Sequence, residues 1–215
     1  MTNPACTKPL LRGHFHQAMF FIFIGALVPL ILRTTTSLEF ISIFLYGICT
    51  LLMFGMSALY HRINWKPKAR LIWKKCDHAG IYLMIAGSCT PTALLGLRGN
   101  SALTFLAAIW VVAGVGVLQS FFFVHLPKIV SALIYIGAGF LVTPYLGELA
   151  RSIGHANMVL LILGGTAYTI GALCYGLKWP KLSPKYFGYH EVFHVFVNFG
   201  AAFHFFAINN LVKVH

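Results

Sequence analysis

Acidic side chains are nearly missing from this 215-residue chain: it carries four, Glu39, Asp77, Glu148 and Glu191, against 16 Lys and Arg. Charged residues amount to 9% in all, whereas 59% of the chain is hydrophobic and its mean hydropathy is +0.80. A soluble domain needs far more polar side chains to cover its surface, so the composition excludes one and indicates a polytopic membrane protein. The five cysteines (Cys6, Cys49, Cys76, Cys89, Cys174) show no C-x-x-C pairing and mostly fall in or beside apolar runs, which argues against a disulfide framework. No small-residue cleavage site follows a short apolar core near the N-terminus, so the first apolar run reads as a retained span and not as a signal peptide. The formal net charge of +12 does not point to nucleic acid either. The basic residues lie in short segments between apolar runs, where they set topology, and membrane lipids are the expected partners.

A span needs about 20 predominantly apolar residues. Seven runs qualify: roughly Phe15–Leu32, Phe40–Tyr60, Ala79–Leu97, Ala102–Val124, Ile129–Leu146, Asn157–Leu177 and Tyr189–Val212. Their connections are short and carry turn residues such as Gly99-Asn100 and Pro127. The economical reading is an all-α protein whose residues 1–215 form a single seven-helix transmembrane bundle, with a short tail over about residues 1–14. Pro91 and Pro144 fall inside spans and should bend them unless neighbours satisfy the freed carbonyls. With the N-terminus placed in the cytoplasm, the inside segments collect twelve basic residues and the outside ones four, Arg33, Arg98, Arg151 and Lys213. The positive-inside rule therefore predicts a cytoplasmic N-terminus and an external C-terminus, and the expected location is a bacterial inner (plasma) membrane.

That topology, set from Lys and Arg alone, sorts the polar residues by depth. Ser57 and His61 share a face at the inner end of the second span, Asp77 opens the third, and His190 and His194 open the seventh at helical i, i+4 spacing. His61, His190 and His194 would form a three-histidine set with one open position, the pattern of a catalytic zinc site. Zinc in such a site acidifies water and so supplies a nucleophile at neutral pH. Asp77 is placed to orient or deprotonate that water, and Ser57 to hydrogen-bond a ligand or a developing oxyanion. Each residue also has a plainer reading. Asp77 would serve as a helix cap, Ser57 could bond back to a carbonyl of its own helix, and His61 could be an interface histidine beside Arg62. His78 should point about 100° away from Asp77, and His204 lies about 15 Å deeper than His194 by helical rise. His14 and His16, at the entrance of the first span, stay open as outer groups. Glu191 projects off the face of its histidine neighbours and reads as a residue of the membrane surface.

The set Ser57-x-x-x-His61, Asp77, His190-x-x-x-His194 with His204 beyond, on a seven-span chain of this size, resembles the haemolysin III proteins. These belong with the progestin and adipoQ receptors and share a wider resemblance to alkaline ceramidases. The resemblance implies seven helices with the N-terminus inside, one Zn2+ per chain held near the cytoplasmic face by His61, His190 and His194, and water-contacting roles for Asp77 and Ser57. The segment before His14 is short, so no protein hormone is expected as a partner. Chemistry of this kind suits a zinc-dependent hydrolase of a lipid amide or ester. The alternatives are a channel-like, membrane-lytic protein, as the family name implies, and a non-catalytic sensor of membrane lipid composition; no periodic polar stripe in the sequence supports a pore.

Overall fold

A computed structural model describes residues 9–183 and 185–212; Cys6, Lys8, Pro184, Lys213 and His215 lie outside the described residues. Its helices are α1 (His14–Leu32), α2 (Ser37–Arg62), α3 (Pro67–Gly96), α4 (Gly99–Phe122), α5 (Lys128–Gly139), α6 (Leu146–Ile153), α7 (His155–Leu177) and α8 (Tyr189–Leu211), with a 3-10 segment, Phe140–Tyr145, between α5 and α6. Together they supply seven stretches long and apolar enough to cross a membrane, the fifth being Lys128–Ile153. The bundle is apolar on its outer face and keeps its few polar site residues inside. Leu32, Val111 and Phe122 are each at least 65% exposed, while Ser57, His61, Glu191 and His194 are all under 5%. In water this distribution would be costly, whereas in lipid it puts hydrocarbon against hydrocarbon. The chain is a multi-pass integral membrane protein.

Each element has a local reason for its limits. A capping box starts α2, with the Thr36 side chain accepting from the Glu39 amide at 3.1 Å and Glu39 accepting from the Thr36 amide. Pro67 opens α3, where its fixed φ suits the first helical position. The third span begins twelve residues before the expected Ala79, at Pro67. Its first turns are basic and so escape an apolar count, yet they are helical and anchored: Trp73 stacks on Trp65 at 5.2 Å and Arg70 lies 5.1 Å over the Tyr60 ring. The two prolines behave differently. Pro91 leaves α3 continuous, and the hydroxyls of Thr90 and Thr92 bond the carbonyls of Ala86 and Ser88 around the lost donor. Pro144 breaks the fifth span into α5, the 3-10 segment and α6.

The central helix is α3, which packs on α2, α4, α5, α6 and α8. Gly87 makes the α2–α3 contact close, because a Cβ there would meet the Cβ of Cys49 at 2.4 Å. In turn α1 packs on both α2 and α8. The start of α1, the end of α2, the third turn of α3 and the start of α8 thus meet at one end of the bundle. Just before α1, Gly13 (φ +84°) passes so near α2 that a Cβ would lie 2.6 Å from the Cβ of His61. Only glycine combines that φ with that approach. The preceding residues are tied down by the amides of Leu10 and Leu11, which donate to the carbonyls of Lys185 and Tyr186.

Candidate metal centre

Three buried imidazoles meet at this end. His61 comes from the last turn of α2 and His190 and His194 from the first turns of α8, and each offers a nitrogen within 4.8 Å of the other two. His61 Nε2 and His190 Nε2 face one another at 3.1 Å. Three nitrogens on a tetrahedral ion at the usual zinc distance stand about 3.4 Å apart, so the donors are already near their working positions. The Nδ1 atoms of His190 and His194 are buried without a hydrogen-bond partner among the described residues. The donor set fits a divalent ion of the zinc kind, with a fourth position open to a further ligand.

Asp77 lies on the side of this arrangement to which the facing nitrogens turn. Its Oδ2 is 3.4 Å from His61 Nε2, the nitrogen turned towards His190, and the carboxylate also interacts with the Ser57 hydroxyl. A carboxylate behind the ring would orient His61 through Nδ1; one beside Nε2 meets whatever occupies the open position. The helix-capping reading of Asp77 is corrected here, because α3 begins at Pro67 and Asp77 lies about three turns inside it. Ser57 sits one turn before His61 and is drawn across to α1, its Oγ 2.9 Å from His16 Nδ1.

His16 is the member of the site that sequence reasoning left among the outer candidates. It is buried, stacks on His194 with ring centroids 3.7 Å apart and planes 7° from parallel, and meets Phe54 edge-on. Glu191 requires a second correction. It is fully buried, not at the membrane surface, and pairs with Arg12 while accepting the Gly188 amide at 2.8 Å. The i, i+1 relation to His190 does turn Glu191 off the ligand face; what the sequence concealed is the arginine waiting there. Other histidines fall where helical geometry put them. His78 Nδ1 pairs with the Tyr135 hydroxyl at 2.8 Å, away from the centre, and His204 Nε2 lies 3.3 Å from the Leu161 carbonyl, packed against Gly164. The neighbourhood is otherwise basic and aromatic: Lys128 donates to the Tyr189 hydroxyl and lies 4.7 Å over both the Tyr175 and Tyr189 rings.

The family described as "Haemolysin-III related" matches residues 5–205. The chain belongs to the haemolysin-III family. Within it, the chain is 34% identical to Hemolysin-3 of Bacillus cereus, covering 86% of this chain and 83% of the relative. It is 33% identical to the Hemolysin-3 homolog of Bacillus subtilis (strain 168), over 79% and 76%. A more distant likeness, at 27% identity over 96% of this chain and 85% of the other, is to the monocyte to macrophage differentiation factor of Homo sapiens. The bacterial haemolysin-III relatives agree with the inner-membrane location expected from the sequence.

Proposed function

We propose that the protein is a zinc-dependent membrane hydrolase acting on a lipid amide or ester at the cytoplasmic side of the bilayer. The observation that carries this reading is the position of Asp77 Oδ2, 3.4 Å from the ligand-side nitrogen of His61 in an open three-histidine site. Closed structural zinc sites use four protein ligands and need no carboxylate beside a free position. A zinc ion held there supplies Lewis acidity, polarising a carbonyl and acidifying water. His61, His190 and His194 hold it. Asp77 Oδ2 accepts the proton of the attacking water and returns it to the leaving group as that departs, the role of a positioned general base and acid. The Ser57 hydroxyl, one turn from His61, hydrogen-bonds the carbonyl oxygen or the water and limits its orientations. The substrate is a membrane lipid because the site lies between apolar helices whose outer faces are hydrocarbon. The cytoplasmic assignment follows from the basic residues, which gather at the site's end of the bundle in Arg62, Lys66, Lys68, Arg70, Lys74 and Lys75.

The test is direct. Purified protein loaded with zinc is offered a panel of ceramides, N-acyl amides and lipid esters, and released fatty acid is measured by mass spectrometry. Release that disappears in Asp77→Asn while zinc is retained supports the reading; no release from any member of the panel by fully loaded protein refutes it. The name of the Bacillus cereus relative, Hemolysin-3, favours a lytic activity as the second reading. Conductance in planar bilayers that persisted in the His190→Ala, His194→Ala double variant would put lysis first.

A further inference from the structure

Four histidines, not three, meet at the centre, from α1, α2 and α8, and the fourth does work that the ligand set alone does not explain. We propose that His16 is a positioning residue: its ring fixes the plane of the ligand His194, and its Nδ1–H directs the Ser57 hydroxyl towards Asp77. The inference rests on the reading of His61, His190 and His194 as a metal centre.

His16 is not a ligand. The nitrogens that lie mutually within 4.8 Å belong to His61, His190 and His194. Instead the His16 ring lies flat on His194, 3.7 Å between centroids and 7° from parallel, with Phe54 edge-on at 5.2 Å. A ring held between a stacked imidazole and an aromatic edge has little freedom to tilt, and it passes that constraint to the ring against it. His194 needs such a constraint. Metal-binding histidines are ordinarily oriented by a hydrogen bond from the second ring nitrogen, yet Nδ1 of His194 has no hydrogen-bond partner among the described residues. Stacking substitutes for the missing hydrogen bond.

The second contact sets the direction of a proton. His16 Nδ1 and Ser57 Oγ are 2.9 Å apart, and the Asp77 carboxylate interacts with the same hydroxyl. Ser57 has one hydrogen to give. If Ser57 gave it to Nδ1, the His16 Nε2–H would be a buried donor without a partner, since Nε2 makes no hydrogen bond among the described residues. Donation in the other sense, from Nδ1–H to Oγ, leaves Nε2 as the unpaired acceptor and frees the serine hydrogen for Asp77. That sense satisfies the charged acceptor. The chain of contacts then runs from α1 through α2 to α3, which explains why α1 must dock where Gly13 lets it approach His61.

The test uses cobalt as a spectroscopic probe in detergent-purified full-length protein, comparing wild type with His16→Ala, His16→Phe, Ser57→Ala and His61→Ala. Dissociation constants come from chelator competition, ligand geometry from the visible d–d bands, and integrity from the melting temperature of the metal-free forms. Loss of an orienting group typically weakens metal binding 10–100-fold. His16→Ala is expected to fall in that range with altered bands, and His16→Phe, which can still stack, to retain most of the affinity. Ser57→Ala is expected to bind cobalt normally. Wild-type affinity and unchanged bands in a folded His16→Ala would overturn the proposal, as would an equal loss in a folded His16→Phe. If His16→Ala does not fold, His16→Phe decides alone. Failure of the wild type itself to bind cobalt would instead refute the metal centre, which His61→Ala checks as the non-binding reference.

Discussion

At the scale of single residues, the most consequential side chains are those whose polarity is buried. Arg12 and Glu191 form an ion pair with Glu191 fully buried beside the two α8 histidines. Removing one partner of such a pair leaves an uncompensated charge, at a cost of roughly 3 kcal/mol. Arg12→Ala should therefore lower the melting temperature in detergent clearly, and Arg12→Ala with Glu191→Leu should recover much of the loss. Additive losses in a double-mutant cycle would show that the pair carries no coupling. That His61, His190, His194, Asp77 and Ser57 gather at one end of the bundle was legible in the sequence, because spacing on a helix and the bias of basic residues indicate face and depth. His16 and Glu191 were not. Their partners are 41 and 179 residues away in the chain, and no periodicity encodes which imidazole will stack on which, or which arginine will reach a buried acid. The one available signal for His16 was negative: in the apolar entrance of a first span, a histidine needs a partner, and the topology left few within reach.

At the scale of elements, hydrophobic runs located all seven spans but misjudged their ends where helix and apolarity part company. The third span reaches back to Pro67 through basic turns, and it is that extension which carries Asp77 into the bundle and away from a capping role. The bend at Pro144 was legible and the continuity at Pro91 was conditional on neighbours, which here are the hydroxyls of Thr90 and Thr92. Two predictions belong to this scale. Gly87→Ala forces a Cβ to within 2.4 Å of the Cys49 Cβ, so α2 and α3 must part. Overpacking of this kind typically costs about 1–3 kcal/mol, and it should also weaken cobalt binding because His61 and Asp77 ride on those two helices. Unchanged melting and unchanged affinity would show that α2 and α3 yield without moving the site. By contrast Thr36→Ala removes the capping box at the far end of α2. A loss of about 1 kcal/mol is expected, with metal affinity at the wild-type level, and a weakened affinity would mean that α2 transmits strain along its length.

At the scale of the whole molecule, a bundle that is hydrocarbon outside and histidine-lined at one end inside makes sense if the polar centre holds an ion. The three imidazoles, the carboxylate on their open side and the ring stacked behind them come from four helices that no local interaction brings together, so the fold and the site stand or fall as one. Elemental mass spectrometry of metal per chain, on protein purified in detergent without chelators, compares wild type with His61→Ala, His194→Ala and Asp77→Ala. The expected result is about one zinc per wild-type chain, lost in both histidine variants and kept in Asp77→Ala, since three imidazoles make the site and the carboxylate serves its open position. No stoichiometric metal in the wild type, or full zinc in a folded His194→Ala, would contradict the metal centre and reduce these histidines to groups that pack helices.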